Sequence, residues 1–116
     1  MPVQISNEIL LQAARDYGTP LYVYHAEKIR EQYEQLVSGF SILDTRFFYA
    51  SKALTNISVL KYVKSIGCNI DCSSINEVKL ALHAGFPPDR ILYTSNGIDF
   101  SEIEEAVVAG VHINID

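Results

Sequence analysis

Residues 47–56, which read FFYASKALTN, are the stretch that decides the fold of this chain. The aromatic and apolar residues at its start lie between polar neighbours, and this pattern predicts a short buried strand over residues 46–50. Side chains alternate between the two faces of a strand, so Ala50 and Lys52 share one side. Lys52 therefore follows the carboxyl end of the predicted strand, where α/β sheets place their active sites.

Lys52 allows two interpretations at this position. Burial at a strand end disfavours the charged form of a lysine, and the neutral amine is a nucleophile that forms Schiff bases with carbonyl compounds. Alternatively, the side chain of Lys52 extends from the strand end into solvent. Spacing alone favours the second interpretation.

From Arg46 onward, the chain repeats a strand–helix pattern. The predicted strands are residues 46–50, 69–72, 90–94 and 111–115, and the predicted helices are residues 56–66, 75–84 and 101–109. Alternating strands and helices indicate βαβ units, and hence a parallel sheet with right-handed crossovers. We therefore divide the chain into residues 1–40 and residues 41–116.

Capping patterns mark the ends of these helices. Ser74-x-x-Glu77 and Ser101-x-x-Glu104 match capping boxes, which satisfy free amide groups at a helix start. Three glycines follow predicted helices, where a left-handed backbone is common: Gly67, Gly85 and Gly110.

Residues 1–40 predict a helix, a strand and a second helix. Ser6 or Asn7 is placed to cap the first helix, and Gly18 is placed to end it. Residues 21–24, LYVY, predict a short strand. An apolar stripe predicts the second helix over residues 25–39.

The composition argues against several classes of partner. The chain has 116 residues, of which 48% are hydrophobic, and a formal net charge of −5. No cluster of lysine and arginine is present, which argues against nucleic acid or an anionic membrane as a partner. No apolar run approaches the ~18 residues of a membrane span, and the N-terminus lacks the pattern of a secretion signal.

Two cysteines, Cys68 and Cys72, lie on one predicted strand. They are too far apart along an extended chain for a disulfide bond. Neither Cys-x-x-Cys nor a Cys/His cluster with zinc spacing is present, so we predict no metal site. We expect two small core thiols in a reducing cytoplasm.

Two predicted strands carry polar side chains at alternate positions, unlike a parallel strand that is covered on both faces. These side chains are Asn69, Asp71 and Ser73 on one strand and His112, Asn114 and Asp116 on the other. Buried polar groups need hydrogen-bond partners, which a polar cofactor or the side chains themselves can supply. Asn69 and Asn114 fit both interpretations. His112 is typical of a barrel core, and Asn96 of a turn before Gly97.

Four segments of the chain resemble a known family. They are TPLYVYHAEKIREQYEQL (residues 19–36), FYASKALTN (48–56), CNIDCSSINEVKLALHAGFPPDRILYTSNG (68–97) and GVHINID (110–116). In this order, they resemble successive parts of the N-terminal third of diaminopimelate decarboxylases. These are (β/α)8-barrel enzymes of the alanine-racemase-like class, which also includes ornithine and arginine decarboxylases.

This resemblance implies an α/β fold, a partial (β/α)8 (TIM-type) barrel of about four βα strands after an N-terminal helix–strand–helix segment. It implies pyridoxal 5′-phosphate as the cofactor, with Lys52 as the catalytic Schiff-base lysine and Ala50 and Asp71 as further cofactor-binding residues. The implied reaction converts a small amino acid, meso-diaminopimelate, to L-lysine in lysine biosynthesis. The complete enzyme is implied to be a cytoplasmic homodimer.

The resemblance leaves other functions open. The chain also fits a related ornithine, arginine or carboxynorspermidine-type decarboxylase, or a non-catalytic half-barrel interaction module. Four βα strands are half a barrel, so we expect a fragment of a larger enzyme rather than a half-barrel that self-associates. We also expect that the 116 residues alone neither bind the cofactor tightly nor turn over substrate.

Overall fold

The computed structural model of the protein describes residues 4–96 and 99–115. Contacts divide the chain into two compact units, Met1–Gly39 and Phe40–Asp116. Gly97 and Asp116, which belong to motifs quoted above, lie outside the described residues. Within the described ranges, every helix is too short or too polar to cross a bilayer.

The first unit contains two helices, α1 (Asn7–Tyr17) and α2 (Ala26–Gly39). Ser6 caps α1, because its hydroxyl accepts a 3.3 Å hydrogen bond from the amide of Ile9. His25 caps α2 through its Nδ1 atom, which accepts a 2.9 Å hydrogen bond from an amide in the first turn. Both predicted helices are therefore confirmed.

Residues 21–24, LYVY, form no strand, so that prediction is wrong. The apolar and aromatic composition favours an extended chain, but a strand is stabilised by hydrogen bonds to a neighbouring strand. The described residues of the first unit contain no other strand that would supply those bonds. The side chains remain accessible, and Tyr22 is 88% exposed.

The second unit is built on a parallel sheet of four strands. They are β1 (Phe48–Ala50), β2 (Asn69–Cys72), β3 (Ile91–Thr94) and β4 (His112–Asn114), and they lie side by side in chain order. The helices between them are α3 (Ile57–Ser65), α4 (Ile75–His83) and α5 (Phe100–Ala109). Every strand and helix predicted after Arg46 is thus present, with small differences at the ends.

The core of this unit lies between the sheet and its helices. Ile70 and Cys72 of β2 and Ile91 and Tyr93 of β3 are completely buried, and both strands pack against α4. The alternate residues of β2 and β3 are only half-buried. This pattern confirms the predicted division of β2 into an apolar and a polar face.

Two helix starts are capped differently from each other. At α4, the Ser74 hydroxyl accepts a 3.2 Å hydrogen bond from the Glu77 amide, as the first capping box predicts. At α5, the cap is Asp99, whose Oδ1 accepts a 3.0 Å hydrogen bond from the Ser101 amide. The predicted capping role of Ser101 is wrong, because a carboxylate two residues earlier caps a helix equally well. The glycines predicted to end helices all have positive φ: Gly18, Gly67, Gly85 and Gly110.

Candidate active site

Lys52 directly follows the carboxyl end of β1. The strand ends at Ala50, and Ser51–Ala53 form one 3-10 turn, which is closed by a 3.1 Å hydrogen bond from the Leu54 amide to the Ser51 carbonyl. This turn ends the extended backbone at Ala50, so the strand alternation that was expected to place Lys52 on the face of Ala50 does not extend to Lys52. The side chain of Lys52 is exposed to solvent. The described residues therefore do not bury its amine, contrary to the expectation of burial at the strand end.

Asp71 lies next to Ala50 in the sheet. The parallel register of β1 and β2 pairs these two residues, and both lie close to the carboxyl ends of their strands. The Thr94 hydroxyl, at the end of β3, donates a 2.9 Å hydrogen bond to Asp71 Oδ1. Three neighbouring strands therefore contribute residues to the carboxyl-terminal end of the sheet, which is called the sheet edge below. Lys52 follows β1 at this same end. Thr94 was not predicted, because its contact with Asp71 forms only when β2 and β3 pair.

A buried carboxylate, Glu77, joins the ends of β1 and β2. Its Oε1 accepts a 2.8 Å hydrogen bond from the Ser51 hydroxyl. Its Oε2 accepts hydrogen bonds from the amide and the hydroxyl of Ser73 and, at 3.2 Å, from the hydroxyl of Ser74. Ser73 lies just beyond β2, which ends at Cys72. Only the capping role of Glu77 was predicted, because Ser51 lies 26 residues away along the chain.

These hydrogen bonds also decide the charge of Glu77. Burial by itself raises the pKa of the Glu77 carboxyl, but hydrogen bonds from Ser73, Ser51 and Ser74 outweigh this effect and hold the pKa below its ordinary value. Glu77 is therefore an anion at neutral pH. An ionised carboxylate is the form that accepts several hydrogen bonds at once.

Cys68 and Cys72 are buried and free, which confirms the prediction of two core thiols. Burial raises the pKa of both thiols, and that of Cys72 rises to about 12. Both side chains are therefore protonated at neutral pH and are poor nucleophiles. Across residues 4–96 and 99–115, no three His, Cys, Asp or Glu side chains are grouped in a way that suits a metal ion.

Asn69 lies at the amino end of β2, the end opposite the Lys52 turn. Its Oδ1 accepts a 3.0 Å hydrogen bond from Arg90 Nε. Arg90 Nη2 donates to the carbonyls of Cys68 at 2.7 Å and Lys64 at 3.3 Å. For Asn69, the structure therefore supports the interpretation in which the polar side chains themselves supply the hydrogen-bond partners. Arg90 was missed because it reaches these partners only when the strands pair.

Three weaker candidates, Asn96, His112 and Asn114, are exposed. Among the described residues, β4 pairs with β3 on one side only, so its other edge is free. The barrel-core position predicted for His112 is therefore not formed by these residues. Asn96 follows β3 at the same edge of the sheet as the Lys52 turn.

Comparison with known proteins identifies the family. A family model described as pyridoxal-dependent decarboxylase, pyridoxal binding domain, matches residues 26–116. The chain belongs to this family. The resemblance seen in the sequence is thereby confirmed, and so is pyridoxal phosphate as the cofactor of the family.

Several members of the family are similar over most of this chain. It is 46% identical over 108 residues to the diaminopimelate decarboxylase of Methanothermobacter thermautotrophicus, and the match covers 91% of this chain and 25% of that relative. It is 36% identical over 108 residues to the diaminopimelate decarboxylase of Mycobacterium tuberculosis, and the match covers 92% of this chain and 24% of that relative. The chain thus spans about a quarter of the length of these decarboxylases.

Solved structures of decarboxylases have the same fold. The crystal structure of diaminopimelate decarboxylase from Helicobacter pylori complexed with L-lysine gives a TM-score of 0.83 at 31% identity, covering 96% of this chain and 28% of that chain. The structure of lysine/ornithine decarboxylase complexed with putrescine from Vibrio vulnificus gives a TM-score of 0.86 at 24% identity, covering 97% of this chain and 32% of that chain. At this identity, the match shows a likeness of fold alone. Together with the four parallel strands, these matches confirm the predicted partial (β/α)8 barrel.

The chemistry of the sheet edge suits the cofactor of this family. Lys52 supplies an exposed primary amine, the group that condenses with an aldehyde. Asp71 supplies a carboxylate, and Ala50 beside it has a side chain too small to obstruct a planar ring. The residues present therefore fit a pyridoxal group.

Proposed function

We propose that this chain is the part of a pyridoxal-phosphate-dependent diaminopimelate decarboxylase that carries the Schiff-base lysine, Lys52. The observation that carries the proposal is the position of Lys52, directly after β1 and accessible from solvent. Identity of 46% to a diaminopimelate decarboxylase supports meso-diaminopimelate as the substrate and L-lysine as the product. Because the chain spans about a quarter of that relative, we assign turnover to the complete protein.

In this proposal, the chain attaches and orients the cofactor. Lys52 Nζ would hold the cofactor, because a neutral primary amine is the group that reacts with an aldehyde. Ala50 leaves room beside the strand end. The carboxylate of Asp71, held by the Thr94 hydroxyl, stabilises positive charge that is brought to this edge.

The reaction removes one carboxyl group from the substrate. The bound cofactor supplies the chemistry that the chain lacks, since its ring withdraws electrons from the reacting carbon. The bond from this carbon to its carboxylate breaks, carbon dioxide leaves, and the electron pair that remains takes up a proton. A diamino dicarboxylic acid thus becomes a diamino monocarboxylic acid.

We further propose that the complete enzyme is a cytoplasmic homodimer that takes a small amino acid as substrate. The family resemblance supports each of these proposals. The two buried free thiols fit a reducing compartment. The Helicobacter pylori relative was crystallised with L-lysine, a ligand of the proposed size and chemistry.

Selective reduction tests the role of Lys52. The chain is mixed with pyridoxal phosphate, its visible absorption is recorded, borohydride is added, and the reduced adduct is located by peptide mapping. Although binding is weak, we expect the adduct on Lys52 to exceed that on Lys61, an exposed lysine of α3, and to disappear in Lys52→Ala. Equal labelling of Lys52 and Lys61 overturns the proposal. Faster decarboxylation of ornithine or arginine than of diaminopimelate by the complete protein overturns the substrate assignment alone.

A further inference from the structure

The turn that carries Lys52 is fixed on both sides of the lysine. Before it, the hydroxyl of Ser51, which is 1% exposed, donates a 2.8 Å hydrogen bond to Glu77 Oε1. After it, the Leu54 amide donates to the Ser51 carbonyl at 3.1 Å, and the Leu54 carbonyl accepts a 3.0 Å hydrogen bond from the Tyr49 hydroxyl. The backbone path of the turn is therefore fixed, while the lysine side chain stays accessible.

Glu77 is itself held firmly in place. It lies in the first turn of α4, where a negative charge is stabilised by the helix dipole. Only 9% of its surface is exposed, and Ser73 and Ser74 donate to its other oxygen. Since Ser73 directly follows β2, the carboxylate connects the Lys52 turn to the end of β2 as well as to α4.

The contact with Ser51 is separate from the capping role of Glu77. A cap needs only the groups at the start of α4, which Oε2 already binds. Oε1 instead accepts a hydrogen bond from Ser51, in the turn after β1 and one residue before Lys52. The contact therefore fixes the lysine turn against β2 in a way that the helix does not require.

We propose that Glu77 is a positioning residue for Lys52 and acts through Ser51. By fixing the turn against β2, it holds the lysine backbone where the amine is presented at the sheet edge that carries Asp71. The inference rests on the proposed role of Lys52. A reactive side chain is effective only when its supporting residues hold it in a productive geometry.

Ser51→Ala tests this proposal, because it removes the hydroxyl and leaves the cap of α4 intact. Ser65→Ala is the matched control, since the Ser65 hydroxyl also donates a hydrogen bond, to a carbonyl within α3. After borohydride reduction with pyridoxal phosphate, we expect the ratio of adduct on Lys52 to adduct on Lys61 to fall about tenfold in Ser51→Ala and to be unchanged in the control.

Hydrogen exchange provides a measurement that needs no cofactor. The amides of residues 51–54 are expected to exchange faster in Ser51→Ala than in the parent chain, while those of α5 (Phe100–Ala109) are unchanged. Ser51→Thr keeps a hydroxyl and is expected to restore both the ratio and the slow exchange. If Ser51→Ala does not fold, Ser51→Cys takes its place, because a thiol is a weak donor of similar size.

The outcomes separate this inference from the proposed function. If the parent chain shows no preference for Lys52, the proposed function fails and the inference fails with it. If the parent chain prefers Lys52 and Ser51→Ala keeps the same ratio, the function stands and the positioning role of Glu77 is overturned. Unchanged exchange at residues 51–54 in a folded Ser51→Ala or Ser51→Cys variant overturns the positioning role as well.

Discussion

The Thr94 hydroxyl donates a 2.9 Å hydrogen bond to Asp71 Oδ1 and thereby joins the carboxyl ends of β3 and β2. Thr94→Val keeps the shape of the side chain and removes the donor. Since both residues are half-buried, we expect the free energy of unfolding to fall by about 1 kcal/mol. Urea denaturation followed by circular dichroism measures this change. Thr55→Val, at an exposed position, is the control, and an equal loss there contradicts the prediction.

Arg90 is expected to be important for stability at the opposite end of the sheet. Arg90→Ala removes the hydrogen bonds to the Asn69 side chain and to the carbonyls of Cys68 and Lys64, so we expect a loss of about 1–3 kcal/mol. Arg90→Lys is expected to restore little, because an ammonium group lacks the planar fork that reaches several acceptors.

Urea denaturation of both Arg90 variants measures the effect. Arg15→Ala, at an exposed position in α1, serves as the control and is expected to change the free energy of unfolding by less than about 0.5 kcal/mol. Full stability in Arg90→Lys would show that charge alone, rather than the guanidinium geometry, holds this end of the sheet.

Glu77 is expected to make stability depend on pH. Although burial opposes ionisation, hydrogen bonds from Ser73, Ser51 and Ser74 lower the pKa of Glu77 in the folded chain below the ordinary value of 4.5. A carboxyl with a lowered folded-state pKa contributes stability above its unfolded-state pKa and loses it as pH falls through the folded-state pKa. The stability difference between the parent chain and Glu77→Gln should therefore shrink as pH falls below 4.5.

Urea titrations from neutral to acidic pH measure this difference. Glu104→Gln is the control, because Glu104 is exposed on α5. A stability difference for Glu77→Gln that is constant over the whole range means that the carboxyl contributes through its shape and not through its charge.

The two cysteines are expected to resist alkylation in the folded chain. Burial raises the pKa of Cys68, and that of Cys72 to about 12, so very little thiolate is present even at mildly alkaline pH. Iodoacetamide should modify both residues rapidly in concentrated urea and slowly in buffer, as followed by mass spectrometry. Rapid modification of Cys72 in buffer would mean that β2 is not buried as described.

The 116-residue chain alone is expected to bind pyridoxal phosphate weakly and to show no turnover of diaminopimelate. Lys52 is exposed, and the residues on the less buried face of β2 and β3 are only half-buried. The described residues therefore offer little surface around a ligand. Absorption titration measures the binding, and release of carbon dioxide measures the turnover. Near-full activity of the isolated chain contradicts this expectation.

Local sequence patterns were sufficient to predict the sheet and its helices. The apolar runs, the caps and the glycines after helices each depend on a few consecutive residues, and these predictions were confirmed from β1 to β4. The strand predicted over residues 21–24 failed because a strand also needs a partner. The cap predicted at Ser101 failed because Asp99, two residues earlier, caps a helix equally well and accepts the hydrogen bond from the Ser101 amide.

The candidate site was less predictable because its contacts are distant in the sequence. Lys52 and Asp71 were found through resemblance and strand position. The 3-10 turn at Ser51 and the hydrogen bond from that residue to Glu77 were not, since Ser51 and Glu77 lie 26 positions apart in the sequence. Reactive residues were therefore easier to predict than the residues that hold them.

The order of the strands has a consequence for how the chain folds. Each strand pairs with the one before it, as in Phe48 with Asn69, Ile70 with Ile91 and Leu92 with His112. Because each strand pairs with its neighbour in the sequence, it can join the sheet soon after it leaves the ribosome. The turn that carries Lys52 is synthesised before the start of α4, so the hydrogen bond from Ser51 to Glu77 can form only after that helix has been made.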